Sequence, residues 1–146
     1  MRRHYDCIGL AFALVLVASQ AAIGEEAAQP QAYPAVPLLS TSTNVLGEPI
    51  HYPTTGPAQV TAAIVTLAPG EKTSIHKHGV PLLAYILEGE LMVDYAGYKQ
   101  QTYHAGEAFM EAMNVAHFGI NTGSKTMKLL VVYMGAQGAQ NVIPVK

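Results

Sequence analysis

Three histidines carry the clearest chemical signal in this 146-residue chain: His76, His78 and the more distant His117. In an extended strand successive side chains alternate between two faces, so His76 and His78 project from the same face. Neutral imidazole binds zinc, iron, copper and nickel well. If another strand brings His117 to that face, the three side chains can bind one divalent ion. Taken singly, each is more often a solvated or hydrogen-bonded histidine.

Glycines and an asparagine stand at fixed distances from these histidines. Gly70 is followed by five residues and the His-x-His pair, and Gly89 closes this first segment. Gly106, His117 and Asn121 mark a second segment. This paired spacing resembles the two motifs of the cupin superfamily, and it is more specific than a lone His-x-His pair would be.

The resemblance covers about residues 56–135 and implies the fold. Cupins are all-β proteins, and the implied architecture is a double-stranded β-helix, a jelly-roll-like barrel with the metal inside one mouth. The pattern of the chain agrees, because short β-prone stretches alternate with turn residues and no amphipathic helical stretch competes. The predicted strands are residues 60–67, 73–78, 82–87, 91–93, 98–103, 108–111, 116–120 and 127–134.

The chain departs from the cupin pattern at the position of the first motif's glutamate, which Leu82 occupies. In the second motif, Ala112 and Asn114 replace the usual proline and turn glycine. Without a carboxylate, a divalent ion keeps its full charge, and its Lewis acidity is stronger. Three-histidine sites of this kind are a variant among cupin-like oxygenases.

Glu111, six residues before His117, is the candidate for replacing the missing acid. If its side chain points inward, it is a fourth ligand, a residue that orients an imidazole, or a general base. If it points outward, it is a solvated glutamate. Alternation puts Phe109 and Glu111 on one face of the strand and Met110 on the other, and both assignments of the inner face stay open.

Aromatic residues in the predicted strands offer a weaker signal. Tyr85, Phe109 and Phe118 are candidates for an apolar substrate pocket, although aromatic residues in strands are more often plain core. His51 and His104 have no comparable frame and are interpreted as loop residues. Residues 33–57 are predicted to supply an edge strand and loops, and the resemblance suggests pairing there with a second subunit in a homodimer.

The first residues of the chain have the pattern of a secretory signal peptide. Arg2 and Arg3 precede an uncharged apolar run at residues 8–18, and cleavage after Ala21 or Gly24 satisfies the small-residue rule. Residues 25–34 then form a flexible linker and residues 35–146 a single domain. The prediction is a periplasmic or secreted protein without a stable membrane anchor.

Composition excludes several classes of partner and chemistry. From Ala22 onward there is no cysteine, arginine or tryptophan, and nine acidic residues against six lysines give a formal charge of −3. No basic surface for nucleic acid is therefore expected, and neither a disulfide nor a thiolate ligand is available. The lack of arginine also disfavours substrates that are clamped through phosphate or paired carboxylates.

Three functions remain. The resemblance to three-histidine cupins favours a dioxygenase that acts on a small organic substrate with one iron(II) per chain. A periplasmic cupin that binds a small molecule or a metal without turnover would hold zinc or copper with the same ligands. A Lewis-acid isomerase or lyase is the third option, and nickel or manganese are further candidate ions.

Overall fold

The computed structural model describes residues 34–145, and within them every regular element is a β-strand. The predicted signal peptide and nearly all of the predicted linker lie outside the described residues. The strands are β1 (Ala58–Leu67), β2 (His76–His78), β3 (Leu82–Glu88), β4 (Glu90–Asp94), β5 (Gln100–His104), β6 (Ala108–Met110), β7 (Phe118–Ile120), β8 (Met127–Ala136) and β9 (Val142–Pro144). The all-β prediction is confirmed.

The strands form three antiparallel sheets. The largest has the order β1-β8-β3-β6, the second has the order β5-β4-β7, and β2 pairs with β9 in the third. Within the core, β3 and β8 alternate strictly, so that Leu82, Ala84 and Ile86 are buried with Leu129 and Val131. Burial of these aliphatic side chains is the main stabilising contribution, at about 25 cal/mol per Å² of apolar surface.

The predicted strands match the observed ones closely, apart from their ends. The main difference is β9, which the sequence did not predict because its three residues, Val142 to Pro144, form too short a run and end in a proline, although valine and isoleucine favour strands. The predicted strand 73–78 is shorter, with regular pairing restricted to residues 76–78. Thr73 still donates its backbone N–H to the carbonyl of Gly119, 2.9 Å away.

The edge strand predicted within residues 33–57 is wrong for the described part of that segment. Residues 34–57 contain no strand, only a single bridge between Thr43 and Pro49. Five prolines lie there and cannot donate to a ladder, which explains the irregular path. The segment contacts the sheet through Val45, whose N–H donates to the carbonyl of Met110, 3.0 Å away.

Two residues of the motif frame have clear structural roles. Gly89 has a positive φ of 77°, and a Cβ there would lie 2.9 Å from the Met127 side chain, so glycine is required at this turn. Asn121 is fully buried, and its amide donates to the carbonyls of Leu67 and Lys125. It ties the end of β1 to the turn before β8. No helix long and apolar enough to span a membrane occurs among the described residues.

A candidate metal centre

The fold brings His76, His78 and His117 together. Their candidate ligand nitrogens all lie within 4.8 Å of one another. The ring centroids are separated by 4.6 to 5.0 Å. His78 and His117 are buried, and His76 is half-buried. The three imidazoles therefore form one cluster inside the barrel, in the arrangement that strand alternation predicted for the first two.

Backbone pairing holds the two ligand-bearing segments side by side. The N–H of His76 donates to the carbonyl of His117 at 3.0 Å, and the N–H of His117 donates back at 2.9 Å. The N–H of His78 donates to the carbonyl of Met113 at 3.2 Å. Because opposing residues of an antiparallel pair have close side chains on the same face, this pairing fixes the distance between the imidazoles.

The other ring nitrogen of each histidine contacts a backbone carbonyl. The Nδ1 atoms of His76, His78 and His117 lie 2.8, 3.1 and 2.9 Å from carbonyl oxygens. A carbonyl only accepts, so each Nδ1 carries the proton and each Nε2 presents a lone pair. The Nε2 atoms of His78 and His117 are 3.2 Å apart.

That separation fits a shared cation. Two nitrogens about 2.0–2.1 Å from one ion lie about 2.9–3.4 Å apart when the angle at the ion is between about 90° and 109°. Without a cation or a shared proton, two lone pairs at 3.2 Å repel each other. The donor set suits a borderline divalent ion such as iron(II), zinc, copper or nickel.

Burial keeps the imidazoles neutral, as ligands must be. It lowers the pKa of His78 to about 4, and the hydrogen bond to the Asn141 carbonyl only partly offsets this effect. Burial likewise lowers the pKa of His76 and of His117. At neutral pH the three rings are therefore ready to bind a cation without first losing a proton.

Glu111 points inward. The residue is 6% exposed, and its Oε1 accepts the backbone N–H of Ala112 at 2.8 Å. Its Oε2 lies 4.0 Å from Nε2 of His117. Burial raises the pKa of Glu111 to about 7, against the smaller lowering effects of the Ala112 N–H and the Tyr95 hydroxyl. The cluster therefore has one carboxyl group beside it that can change its protonation near neutral pH.

Leu82, at the position of the missing glutamate, is 3% exposed and faces the same space. It stands opposite Tyr133 on β8, and its carbonyl accepts the N–H of Glu111 at 2.9 Å. Tyr133, Leu82 and Glu111 therefore form one rung of inward side chains across three neighbouring chain segments. This chain therefore has a leucine at the position of the motif glutamate and an acidic residue, Glu111, opposite it on the neighbouring segment.

The histidines line a cavity of about 70 Å³. Its wall is mainly aliphatic, and its polar side chains are the three histidines, Glu111, Thr73 and Tyr133. No lysine or arginine is among the described residues that line it. An anionic group inside it would therefore have to be stabilised by a bound cation rather than by a side chain.

The three aromatic candidates for a substrate pocket do not line this cavity. Tyr85 faces an open groove on the outer side of the sheet. Phe109 is buried in the core, where its ring stacks on Tyr103 with centroids 3.7 Å apart. Phe118 is half-buried, with the Lys72 ammonium 5.8 Å from its ring centroid. Because Phe118 directly follows His117 in the chain, alternation places its side chain on the face opposite to that of the ligand.

Tyr133 is the cavity residue that sequence reasoning missed. Its ring centroid is 5.8 Å from that of His78, and burial raises its pKa. The alternation of side chains along β8 could have predicted the inward position of Tyr133, because it puts Tyr133 on the same face as Leu129 and Val131. His104 is an exposed residue at the end of β5, 3.7 Å from Glu90, and His51 is exposed in the segment before β1.

Comparison with known proteins shows that the chain matches the model of one protein family. The family model described as a cupin domain matches residues 63–133. No curated protein sequence matches the chain. Among solved structures, an oxalate oxidase is similar with a TM-score of 0.51 and 26% identity, over 59% of this chain and 46% of that one.

Two further structures share the fold at lower identity. An oxalate decarboxylase from Lactobacillus farciminis has a TM-score of 0.51 at 22% identity, over 59% of this chain and 26% of that chain. A DMSP lyase from Ruegeria pomeroyi has a TM-score of 0.51 at 19% identity, over 59% and 43%. The chain thus spans less than half of each of these proteins. At such identities the two likenesses support the double-stranded β-helix fold alone.

Proposed function

This chain belongs to the cupin superfamily, and from that premise we propose that it is a metal-dependent oxidoreductase of the dioxygenase type with a three-histidine centre. The observation that carries the proposal is the convergence of three Nε2 lone pairs beside one buried carboxyl group. Iron(II) bound there would supply Lewis acidity and electrons for dioxygen chemistry. We propose one divalent ion per chain, with iron(II) favoured over zinc, copper, nickel or manganese.

The chain's own residues supply proton transfer and exclusion of water. The Ala112 N–H fixes Oε1 of Glu111, which leaves Oε2 directed towards the histidine cluster. Without a bound cation the pKa of this carboxyl group is about 7, and a cation beside it would lower that pKa, so Glu111 would be ionised at neutral pH and able to accept a proton from an acidic substrate. The aliphatic wall around Leu82 keeps the space largely dry, which strengthens the electrostatic effect of an ion on a chelating substrate.

The charge of the metal site and the size of the cavity restrict the class of substrate that can bind. Three neutral imidazoles leave a divalent ion with its full charge, and an ionised Glu111 reduces the total to +1. A ligand that arrives already singly negative would then neutralise the site, whereas a substrate that transfers its proton to Glu111 would leave the total at +1. Because the cavity is small and has no cationic side chain, we expect a small, largely apolar molecule that binds the ion through oxygen or sulfur.

The structural relatives have different reactions: their names describe an oxidase, a decarboxylase and a lyase. The fold therefore does not select one reaction. The small size of the cavity, about 70 Å³, also suits the second candidate, a cupin that binds a metal or a very small molecule without turnover. A Lewis-acid isomerase or lyase would use the same ion and Glu111.

The decisive experiment combines metal analysis with oxygen uptake. Protein purified without a His tag is freed of metal, reloaded anaerobically with iron(II) and supplied with diketones, thiols and catechols. Uptake that depends on substrate, and that is absent from the zinc-loaded protein and from His117→Ala, supports the dioxygenase. Full iron loading without uptake on any substrate favours the binding protein, and metal content equal in His117→Ala and wild type contradicts the site itself.

We also propose export, supported by Arg2, Arg3 and the apolar run at residues 8–18. Intact-mass measurement on periplasmic or secreted material should give a chain that starts at Ala22 or Glu25. Most of the soluble protein carrying Met1 would contradict cleavage. Neither nucleic acid nor a membrane is a proposed partner of the processed chain.

We also propose that the protein forms a homodimer, and that the interface is the outer face of the sheet β1-β8-β3-β6. Val60 and Ile64 are 67% and 53% exposed there, beside Tyr85 and Met134. The four strands have 10, 10, 7 and 3 residues and lie about 4.8 Å apart, which gives a footprint of roughly 500 Å², more than half of the ~800 Å² per partner of a stable interface. We expect Val60→Asp with Ile64→Asp to dissociate the dimer in sedimentation experiments, whereas Tyr98→Asp should not.

A further inference from the structure

The three histidines differ in where their Nδ1 protons are bound. His76 and His117 each donate to a carbonyl two residues earlier in their own segment, Ser74 and Val115. His78 donates to the carbonyl of Asn141, 63 residues further along the chain. Two imidazoles are therefore oriented locally, whereas the third depends on a distant segment.

That segment, residues 140–145, is named here the clasp. Its strand β9 pairs with the whole of β2, with Val142 opposite His78 and Pro144 opposite His76. The N–H of Val145 donates to the carbonyl of Ile75 at 3.1 Å and extends the pairing by one more contact. The clasp contacts in this ladder are therefore made to the three His-x-His residues and to Ile75 immediately before them.

Gly79 shows how closely the two chains pass. A Cβ at this position would overlap the carbonyl oxygen of Gln140 and approach the Ile143 side chain at 3.4 Å. The backbone conformation of Gly79 is not one that requires glycine, because its φ is not positive. The glycine is therefore explained by the approach of the clasp, immediately after the ligand His78.

The clasp is held mainly by backbone hydrogen bonds. All three residues of β9 are exposed, and Val142 and Ile143 are 40% and 37% exposed. A short exposed edge strand with little buried apolar surface opens at a low free energy compared with the core strands. Its detachment would leave most of the barrel intact and would change chiefly the environment of His78.

We propose that the clasp is the positioning element of the metal centre, and that the Asn141 carbonyl holds His78 in the ring orientation and tautomer that direct Nε2 to the ion. This inference rests on the proposed metal binding. When the carbonyl is withdrawn, the Nδ1 proton of a 5% exposed ring loses its partner. The proton or the ring then rearranges, because a buried unsatisfied donor is costly. A three-nitrogen site becomes a two-nitrogen site.

The consequence for metal binding is quantitative. Loss of a partner that orients a ligand typically lowers metal affinity ~10–100-fold. Since the clasp can open while His76 and His117 keep their local partners, its opening should set the rate at which the ion leaves. Metal retention would then depend on the stability of the β2–β9 pairing and not only on the three ligands.

The first test is Gly79→Ala, whose Cβ pushes against the Gln140 carbonyl. Gly123→Ala is the matched control, because its Cβ would lie 3.1 Å from the Glu90 side chain and 3.2 Å from Oδ1 of Asn121, and neither residue belongs to the clasp. Copper(II)-loaded full-length proteins are compared by electron paramagnetic resonance, which counts the bound nitrogens, and by competition with a chelator. Gly79→Ala should lose one imidazole nitrogen and ~10–100-fold in affinity, and Gly123→Ala should lose neither.

The second test links the clasp to β2 by a disulfide, and it does not depend on whether Gly79→Ala folds. Lys77 and Ile143 are direct partners in the ladder, so their Cα atoms are about 4.5–5.5 Å apart, within reach of a disulfide. In Lys77→Cys with Ile143→Cys, a disulfide formed before loading with zinc should slow the release of zinc to a chelator at least ~10-fold, relative to the same protein with its thiols reduced and alkylated. The alkylated form is the control, because zinc is not redox-active and blocked thiols do not bind it.

The outcomes separate the clasp from the proposed function. Wild-type copper affinity with three nitrogens in folded Gly79→Ala would overturn the clasp proposal, as would equal rates of zinc release from the disulfide-linked and the alkylated forms. In both cases the metal site itself would stand. Absence of metal binding by the wild-type protein would overturn both.

Discussion

Leu82 and Glu111 occupy neighbouring positions on one rung of the barrel wall, yet their side chains have opposite chemistry. Both are buried, both face the histidine cavity, and one backbone hydrogen bond of 2.9 Å links them. The cupin pattern places an acid at the position of Leu82, whereas this chain carries an acid across the rung. The carboxyl group is thus retained within the cavity at a different angle to the histidines.

In this chain the barrel wall has an apolar residue at the position of the motif acid and a buried acidic residue opposite it on the neighbouring segment. Opposing side chains of an antiparallel pair lie on the same face and only about 4.5–5.5 Å apart. An acid can move that far and still reach the ion, although it approaches from another direction. The direction from which the carboxyl group approaches the ion would then decide whether it acts as a ligand or as a proton acceptor.

The largest expected effect comes from Glu111→Gln, which keeps the shape of the side chain and removes its ability to accept a proton. If Glu111 is the general base, substrate-dependent oxygen uptake by the iron-loaded protein should fall ~10²–10⁴-fold. Metal affinity should change by no more than ~10-fold when the ion is held by histidines alone. A loss of affinity as large as that of His76→Ala would instead make Glu111 a ligand, and an intermediate loss of ~10–100-fold would make it a residue that orients an imidazole.

Leu82→Glu should have the next largest effect, because it restores an acid beside the existing one. Without metal, two buried carboxyl groups would face each other, and we expect a loss of about 3 kcal/mol in the free energy of unfolding. Added metal should reverse this loss and bind more tightly than in the wild type. Oxygen uptake should slow, since the new acid fills an open position. Leu82→Met is the control for packing, and undiminished uptake in Leu82→Glu would contradict the three-histidine hypothesis.

Exchanging the two residues is a sharper test with a smaller expected effect. Leu82→Glu combined with Glu111→Leu keeps one acid and one leucine on the same rung, so metal affinity should stay within ~10-fold of the wild type. Turnover should nevertheless fall, because the acid no longer lies in its original direction from His117. Equal turnover in the exchanged protein would mean that the position of the acid is irrelevant.

The smallest effect is a dependence of stability on pH in the metal-free protein. The pKa of Glu111 is raised from 4.5 to about 7 in the folded state, so its contribution to stability is lost as pH rises from 4.5 through 7. The pKa of His78 is lowered from 6.5 to about 4, so its contribution is lost as pH falls from 6.5 through 4.

Between about pH 5 and 6 these two slopes oppose each other. Removing Glu111 as a titrating group in Glu111→Gln should therefore make stability rise more steeply with pH, by about 1 kcal/mol per pH unit. Denaturant unfolding of both proteins in chelator, at half-unit steps of pH, measures the difference. Parallel curves would show that Glu111 does not titrate in this range.

Strand alternation and turn residues predicted most of the fold and the histidine cluster, because both follow from a period of two along the chain. Alternation did not decide which face of the segment before His117 is inside, since Glu111 and Met110 are both buried. That choice depends on the pairing of β6 with β3, which is a long-range property.

Other features depend on tertiary contacts that local pattern does not record. The strand β9 is too short and too exposed to predict, and it forms because β2 offers it an edge. Tyr85 and Phe109 are apolar enough to belong in a pocket, but the pleat directs Tyr85 outward and the stacking on Tyr103 holds Phe109 in the core. The role of Gly79 becomes visible only when the distant Gln140 carbonyl is beside it.

The 63-residue separation between His78 and Asn141 also has a consequence for biosynthesis. A nascent chain that has emerged as far as His117 already contains all three imidazoles, but the carbonyl that orients one of them has not yet been made. Ions captured during synthesis or passage through a translocon would then be held by an incompletely ordered site and would exchange readily. Selection of the final ion would take place after the last strand has joined the barrel, under the metal concentrations of whichever compartment the chain has reached by then.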